Sequence, residues 1–363
     1  MKTTSNLLSL YAAIIVMMSG QLASQADEPA WVFYRIVSDS PTRFLEFRSD
    51  GTTIWSNAAV GGNGQIEMSS SLTGRWAVIH GFEATGGLME TALTLVPKGM
   101  VIIPGGTNAG TNFVSPGEYY NATGYPSNYS LTVDTFYMDR CEVPFALWNE
   151  IKDWGDGNGY GFGDAGNGKG TNHPVQRITW YHCIQWCNAR SQKEGREPAY
   201  FVDAAFTEVY KTGQVDAVYV NPTAKGYRLP TEVQWEYAAR GGLAGRRFSW
   251  EDSDEIQHAR ANYISWAGLG YDTSPTRGAH PTFNDDVYPF TSPVCSFAPN
   301  GFGLYDMAGN VCEWCFDWGV GAKRIRRGGS WYENAQFARV GNRYYDRPHY
   351  ADNYCGFRTV LMP

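Results

Sequence analysis

Residues 300–318 read NGFGLYDMAGNVCEWCFDW, and residues 326–331 read RRGGSW. Glycines at 301, 303, 309, 328 and 329 punctuate this stretch, so the backbone must turn where a side chain would obstruct. Between the turns stand residues of buried type: Phe302, Leu304, Tyr305, Met307, Trp314 and Trp318. Two carboxylates, Asp306 and Glu313, fall inside this apolar run. A carboxylate among aromatic rings needs a cation or a dense set of donors, because a bare buried charge is too costly.

Working outward, residues 228–242 read RLPTEVQWEYAARGG. Thr231 with Gln234 makes a capping box, and Gly241 stands where a helix stops. A second helix is predicted over 179–190, where Trp180, Cys183, Ile184 and Cys187 recur at helical spacing and so face inward. Residues 99–106 (GMVIIPGG) read as the strand that opens a domain, 131–139 as another strand, and a helix follows from about Pro144. The glycine-rich run 155–170 invites a calcium-loop reading. Counted from Asp156, its twelfth place holds Asn167 where glutamate is needed, so it is expected to be a flexible surface loop.

The 228–242 segment, with GLYDMAGN at 303–310, GGSW at 328–331 and CGFRT at 355–359, resembles the formylglycine-generating enzyme (sulfatase-modifying factor) family. The likeness covers about 98–361. It implies an α+β fold, the family's variant of the C-type lectin fold, with two helices, little regular secondary structure and a small twisted sheet. It also implies two calcium sites. The first would use the Asn262 side chain and Tyr263 carbonyl with Asp286 and the Tyr288 carbonyl; Asp285 competes with Asp286. The second would use Asp306, the carbonyls of Gly309 and Val311, and Glu313. The second set is physically coherent by itself: hard oxygen ligands within eight residues, with turns at Gly309 and Asn310 to aim carbonyls inward.

The family's enzyme oxidises a sulfatase cysteine to formylglycine, with two cysteines after the GGS turn holding copper. Thiolates are the soft ligands that Cu(I) needs. Here no cysteine occurs between Cys315 and Cys355, so copper and the oxidase mechanism are expected to be absent. Cys312 and Cys315 form a CxxC, but without the strand-to-helix setting of a redox site, and are read as structural thiols. The resemblance further implies a disulfide from Cys187 to the C-terminal segment. The family's partner position is Thr359, so Cys355 is taken as partner, with Cys183 competing. Ala239 replaces a cysteine of the family's other disulfide. The histidines show no H-x-x-x-H or H-x-x-H pairing, which leaves the iron-dependent sulfoxide synthases of this fold unsupported.

From 332 to 354 polar aromatic residues are interspersed with charges, the composition of a recognition surface. The expected ligand face comprises Tyr332, Glu333, Phe337, Arg339, Tyr344, Tyr345, His349 and Tyr350. It is similar to the ligand-binding C-type-lectin-like members of the family, and a protein, peptide or glycan is the expected partner. A divergent oxidoreductase acting on sulfatases or another substrate is the alternative.

The bulk numbers agree. Of 363 residues 43% are hydrophobic and 15% aromatic, ample for a core, and the length suggests about two domains. A net charge of −7 and a pI near 5.4 argue against nucleic acid or an anionic membrane as the main partner. Residues 1–26 read as a secretory signal: Lys2, a short apolar run over 7–18, and a small-x-small site at 24–26. That run is too short for a spanning helix, and no later segment qualifies. Export to a periplasmic or extracellular compartment is therefore expected. Residues 27–97 form a β-rich module, either separate or continuous with the main sheet, and 98–363 form the family domain. Short strands are expected at 31–37, 43–47, 52–55, 66–68, 76–79 and 92–96, with turns at 50–51 and 61–64.

Overall fold

The computed structural model describes residues 12–16, 32–38, 42–47, 52–69, 77–92, 96–111, 128–215 and 217–363. Apart from 12–16, the expected leader lies outside these residues, as does the turn at 50–51. The first five strands make one sheet: β1 (Ala12–Val16), β2 (Val32–Ser38), β3 (Thr42–Phe47), β4 (Thr52–Ser69) and β5 (Ala77–Ala92). β4 pairs antiparallel with β2, β3 and β5. The turn expected at 61–64 does not form. β4 runs through it, and its glycine-rich part is accommodated as irregularities against β5 on either side of Val60. Ile66 of β4 is fully buried in the same cluster as Trp148 and Trp186 of the main domain.

The main domain opens with β6 (Met100–Ile103), β7 (Gly106–Thr111), β8 (Asn128–Val133) and β9 (Phe136–Asp139). The single strand expected at 131–139 thus splits: β8 pairs with β7, and β9 pairs with β6. The break falls where Thr135 Oγ1 accepts a hydrogen bond from Gly105 N at 3.0 Å.

Helix α1 (Phe145–Asp156) starts one residue later than expected, with Pro144 as its extended N-cap. Helix α2 (Trp180–Lys193) buries Cys183 and Cys187, as its spacing requires. Thr179 and His182 cap it reciprocally: Thr179 Oγ1 accepts from His182 N (3.1 Å), and His182 Nδ1 accepts from Thr179 N (3.2 Å). Strands β10 (Tyr200–Phe201) and β11 (Tyr219–Val220) form a small clip. Helix α3 (Glu232–Ala239) has the Thr231–Gln234 capping box read from the sequence, and Gly241 leaves it at φ 57°.

The remaining strands are β12 (Cys312–Trp318), β13 (Arg324–Arg327), β14 (Tyr344–Asp346), β15 (Cys355–Gly356) and β16 (Val360–Leu361). They build a four-stranded sheet in the order β14-β13-β12-β15, and β16 completes a three-stranded sheet as β16-β9-β6. The architecture is α+β, with few helices and long irregular connections, in line with the expectation. The 155–170 run departs from it: Tyr160 and Phe162 are buried, and Phe162 packs edge-on to Trp148 at 5.7 Å. Rings of that size bury wherever the intervening glycines let the chain turn.

Strand β12 is the spine that positions the site. Successive residues of a strand face opposite sides. Cys312 and Trp314 accordingly join the core under α1 and α2, while Cys315 joins a second core of β6, β9 and α3. The CxxC is therefore divided between two interiors.

Candidate ligand face and the acidic knot beneath it

Glu313 leaves β12 on the side opposite Trp314 and meets Arg358. The guanidinium donates to both carboxylate oxygens at 2.7–2.9 Å, and Trp235 Nε1 adds a bond of 2.7 Å. Arg358 also donates to the carbonyls of Asp139, Arg140 and Tyr305. Residue and partner are both fully buried, and a pair this deep persists only when its remaining polar atoms are satisfied.

Two further carboxylates crowd the same volume. Glu142 accepts from Asn310 Nδ2 (2.6 Å) and Val311 N (3.0 Å). Asp306 Oδ2 accepts from Cys295 N at 2.5 Å, whereas Asp306 Oδ1 is buried with no hydrogen-bond partner. Burial, and then the charges of Asp306 and Glu313, push the Glu142 carboxyl well above the usual range. Burial likewise raises Asp306 to about 7. Three carboxylates thus share one guanidinium. Asp306 and Asn310 both hold left-handed backbone, at φ 54° and 59°. Asn310 is a residue type that tolerates this, as the sequence led us to expect.

Of the second calcium set, Asp306 keeps an orphaned carboxylate oxygen, whereas Glu313 is already engaged by Arg358 and Trp235. The first set is placed differently. The Tyr263 carbonyl accepts from His258 Nε2 (3.1 Å), Asn262 Nδ2 donates to the Phe290 carbonyl (2.8 Å), and Asp286 and Tyr288 are exposed. Among the described residues no three His, Cys, Asp or Glu side chains form a metal-holding group.

The disulfide expectation is corrected. The bridge is Cys141–Cys295, with Cα atoms 5.7 Å apart, and Cys187 and Cys355 are both free and buried. The physical reason lies at Thr359, whose hydroxyl and N–H bond to Asp139 while Arg190 donates to its hydroxyl. Cys187 faces this Arg190–Asp139 group, whereas Cys355 lies on β15 beside Cys312.

Above the knot the expected ligand face is an aromatic pavement. Tyr332 is 56% exposed, stacks on Tyr354 (5.6 Å) and meets Trp331 edge-on (5.5 Å). Trp331 in turn touches Phe290 (5.5 Å) and the exposed Tyr288 (5.2 Å). Buried Arg326 underlies Tyr344 and Tyr354 and is held by Asp346 (2.8 Å) and Asp352 (3.0 Å). Phe337 packs on Tyr344, Tyr344 on Tyr345, and exposed His349 on Tyr350. Arg339 does not belong to the face. It is buried, and its Nε donates to the Gln336 carbonyl (3.0 Å), closing a turn.

Glu333 turns down, and Ser330 Oγ donates to its carboxylate (2.9 Å); burial raises its pKa. The position after the GGS turn thus holds hard oxygen donors, which do not suit copper(I). A small cleft of about 60 Å³ is lined by Ser249, Trp250, Arg260, Asn300 and Asp306, and includes no residue of 332–354.

Sequence reasoning missed Glu142, Arg326, Trp331 and Phe290, and used Tyr288 only as a carbonyl ligand. Glu142 carried the same signal as Glu313, a carboxylate set among apolar residues (CEVPFALW). The others became visible only when the 286–292 loop was brought against Trp331.

Comparison with known proteins agrees with the fold. A sulfatase-modifying factor enzyme 1-like domain matches residues 86–362. The chain is 31% identical over 281 residues to chaperone protein LppX of Paenibacillus barcinonensis, covering 73% of this chain and 91% of that one. It is 39% identical over 155 residues to the formylglycine-generating enzyme of Streptomyces coelicolor, covering 37% of this chain and 46% of the enzyme. Among solved structures, Treponema denticola variable protein 1 matches with a TM-score of 0.54 at 26% identity, over 74% of this chain and 98% of its own.

Proposed function

Because the chain belongs to the formylglycine-generating enzyme (sulfatase-modifying factor) family, we propose that it is an exported, calcium-braced member of that family which binds a ligand instead of oxidising cysteine. The pavement of exposed tyrosines around Trp331 carries this reading. Large flat rings with ordered Arg–Asp pairs between them supply contact area at low entropic cost, the composition of paratopes and interface centres. The ligand is a protein, peptide or glycan. A relative named as a chaperone, similar over nine-tenths of its own length, supports a non-catalytic role.

Catalysis by copper lacks its ligands. The GGS turn is followed by Tyr332 and Glu333, and Glu333 is committed to Ser330. Calcium is supported by the donor set at the knot. Asp306 Oδ1 is buried without a partner, and two carboxylates stand in excess of Arg358. A hard divalent cation there would supply the missing positive charge. Export is supported by the leader-like first 26 residues and by the Cys141–Cys295 bridge, a bond that persists in oxidising compartments. Among the described residues no helix is long and apolar enough to cross a membrane.

Glycan and peptide arrays probed with the wild type, Tyr332→Ala and Tyr344→Ala test the reading. Binding that both substitutions abolish is the expected result. Formation of an aldehyde from a sulfatase peptide in the presence of copper and oxygen would overturn it and establish the oxidoreductase alternative.

A further inference from the structure

Two cysteines that the ligand reading leaves unused face each other across adjacent strands. Cys312 opens β12 and Cys355 opens β15; the strands run parallel, and the two residues are direct register partners. Register partners project to the same side of a sheet. Both thiols are buried, side by side in the sheet. Neighbouring strands lie about 4.8 Å apart, inside the roughly 4.4–6.8 Å Cα separation that a disulfide spans.

Other pairings fit less well. Cys315 is three residues along β12, so alternation sends it into the other core. Cys187 faces Arg190 and Asp139 from α2, and Cys183 lies one helical turn before it. Cys141 and Cys295 are already joined.

We infer that Cys312 and Cys355 close into a second disulfide of the mature protein, cross-linking β12 to β15 beneath the aromatic face. The step is thiol–disulfide exchange during folding, before the strands are covered. A small disulfide such as oxidised glutathione, or a dithiol–disulfide oxidoreductase of the receiving compartment, accepts two electrons. Each cysteine gives up its proton, the new S–S bond forms, and the oxidant leaves as two thiols. Tyr354 immediately precedes Cys355 and stacks on Tyr332, so the cross-link anchors one edge of the pavement. The inference does not depend on what the face binds.

Thiol counting tests it. The full chain is refolded in a glutathione redox buffer, quenched with acid, alkylated in denaturant without reduction, and digested for mass spectrometry. Seven cysteines less two closed pairs leave three alkylated thiols, Cys183, Cys187 and Cys315, and a linked peptide pair carrying Cys312 and Cys355. Five alkylated thiols with only Cys141–Cys295 joined would overturn the assignment, as would recovery of Cys355 linked to Cys187 or Cys183. Cys312→Ser gives an independent reading in a protein whose fold is checked by circular dichroism. Its thiol count should rise from three to four with Cys355 newly alkylated; a fall from five to four would count against the pair.

Discussion

Arg358 is the counter-ion of the buried acidic knot. Its guanidinium is set against Glu142, Asp306 and Glu313, and it also closes three backbone carbonyls. Arg358→Met should destabilise the fold by about 3–5 kcal/mol, because it strands buried carboxylates. The urea midpoint measures this, and a loss below about 1 kcal/mol would show that the knot is solvated. Tyr332 is the opposite case. At 56% exposure it supports little of the fold. Tyr332→Ala should change stability by less than about 0.5 kcal/mol while costing at least about 1 kcal/mol of ligand affinity. A parallel fall in both, read from urea and binding titrations, would mean the ring is structural.

At the scale of elements, the cap of α2 predicts a pH dependence. Burial lowers the His182 pKa from 6.5 to about 4, in keeping with Nδ1 acting as an acceptor. The folded protein thus prefers neutral imidazole, and the unfolded chain takes up its proton near pH 6.5. The stability from this group is complete above pH 6.5 and is lost as pH falls toward 4, by at most about 3 kcal/mol. In His182→Gln, which keeps an acceptor but cannot titrate, this component of the slope should vanish in denaturation curves taken across that range. The turn at 328–329 is equally specific. Gly329 holds φ 69°, and a Cβ there would lie 2.7 Å from Ala338 N and from the Phe337 carbonyl carbon. Gly329→Ala should cost more than about 2 kcal/mol by thermal or urea melting.

These elements also show what the sequence could convey. The caps of α2 and α3 and the inward cysteines of α2 were readable because capping and helical periodicity are local. The 61–64 glycines misled because a turn signal cannot be told from a bulge until the partner strand is known. The Cys187 pairing failed for a related reason: Cys355 belongs to whichever strand lies beside β15, and that is decided by long-range register. The aromatic surface was legible as composition over 332–354, but Tyr288 and Phe290, which adjoin it at Trp331, come from a loop about forty residues upstream.

For the whole molecule, calcium is the decisive titration. A chelator should lower the melting temperature of the wild type. At calcium a hundredfold above its Kd the linkage amounts to about 2.7 kcal/mol. Asp306→Asn, which supplies a weaker oxygen at the orphaned position, should reduce the calcium-dependent shift measured by calorimetry. An equal shift in both proteins would move the ion elsewhere.

The three-stranded sheet has a consequence for biogenesis. Its outer strand reaches β9 from the far end of the domain, and Thr359 bonds to Asp139 across 220 residues of chain. Arg358, the counter-ion of the knot, is made at the same late moment. Until the segment 358–361 has joined β9 and Glu313, the knot lacks its counter-ion and the sheet its outer strand. Closure of the knot and of the sheet is thus one long-range event, held back until the segment that carries the cation is available.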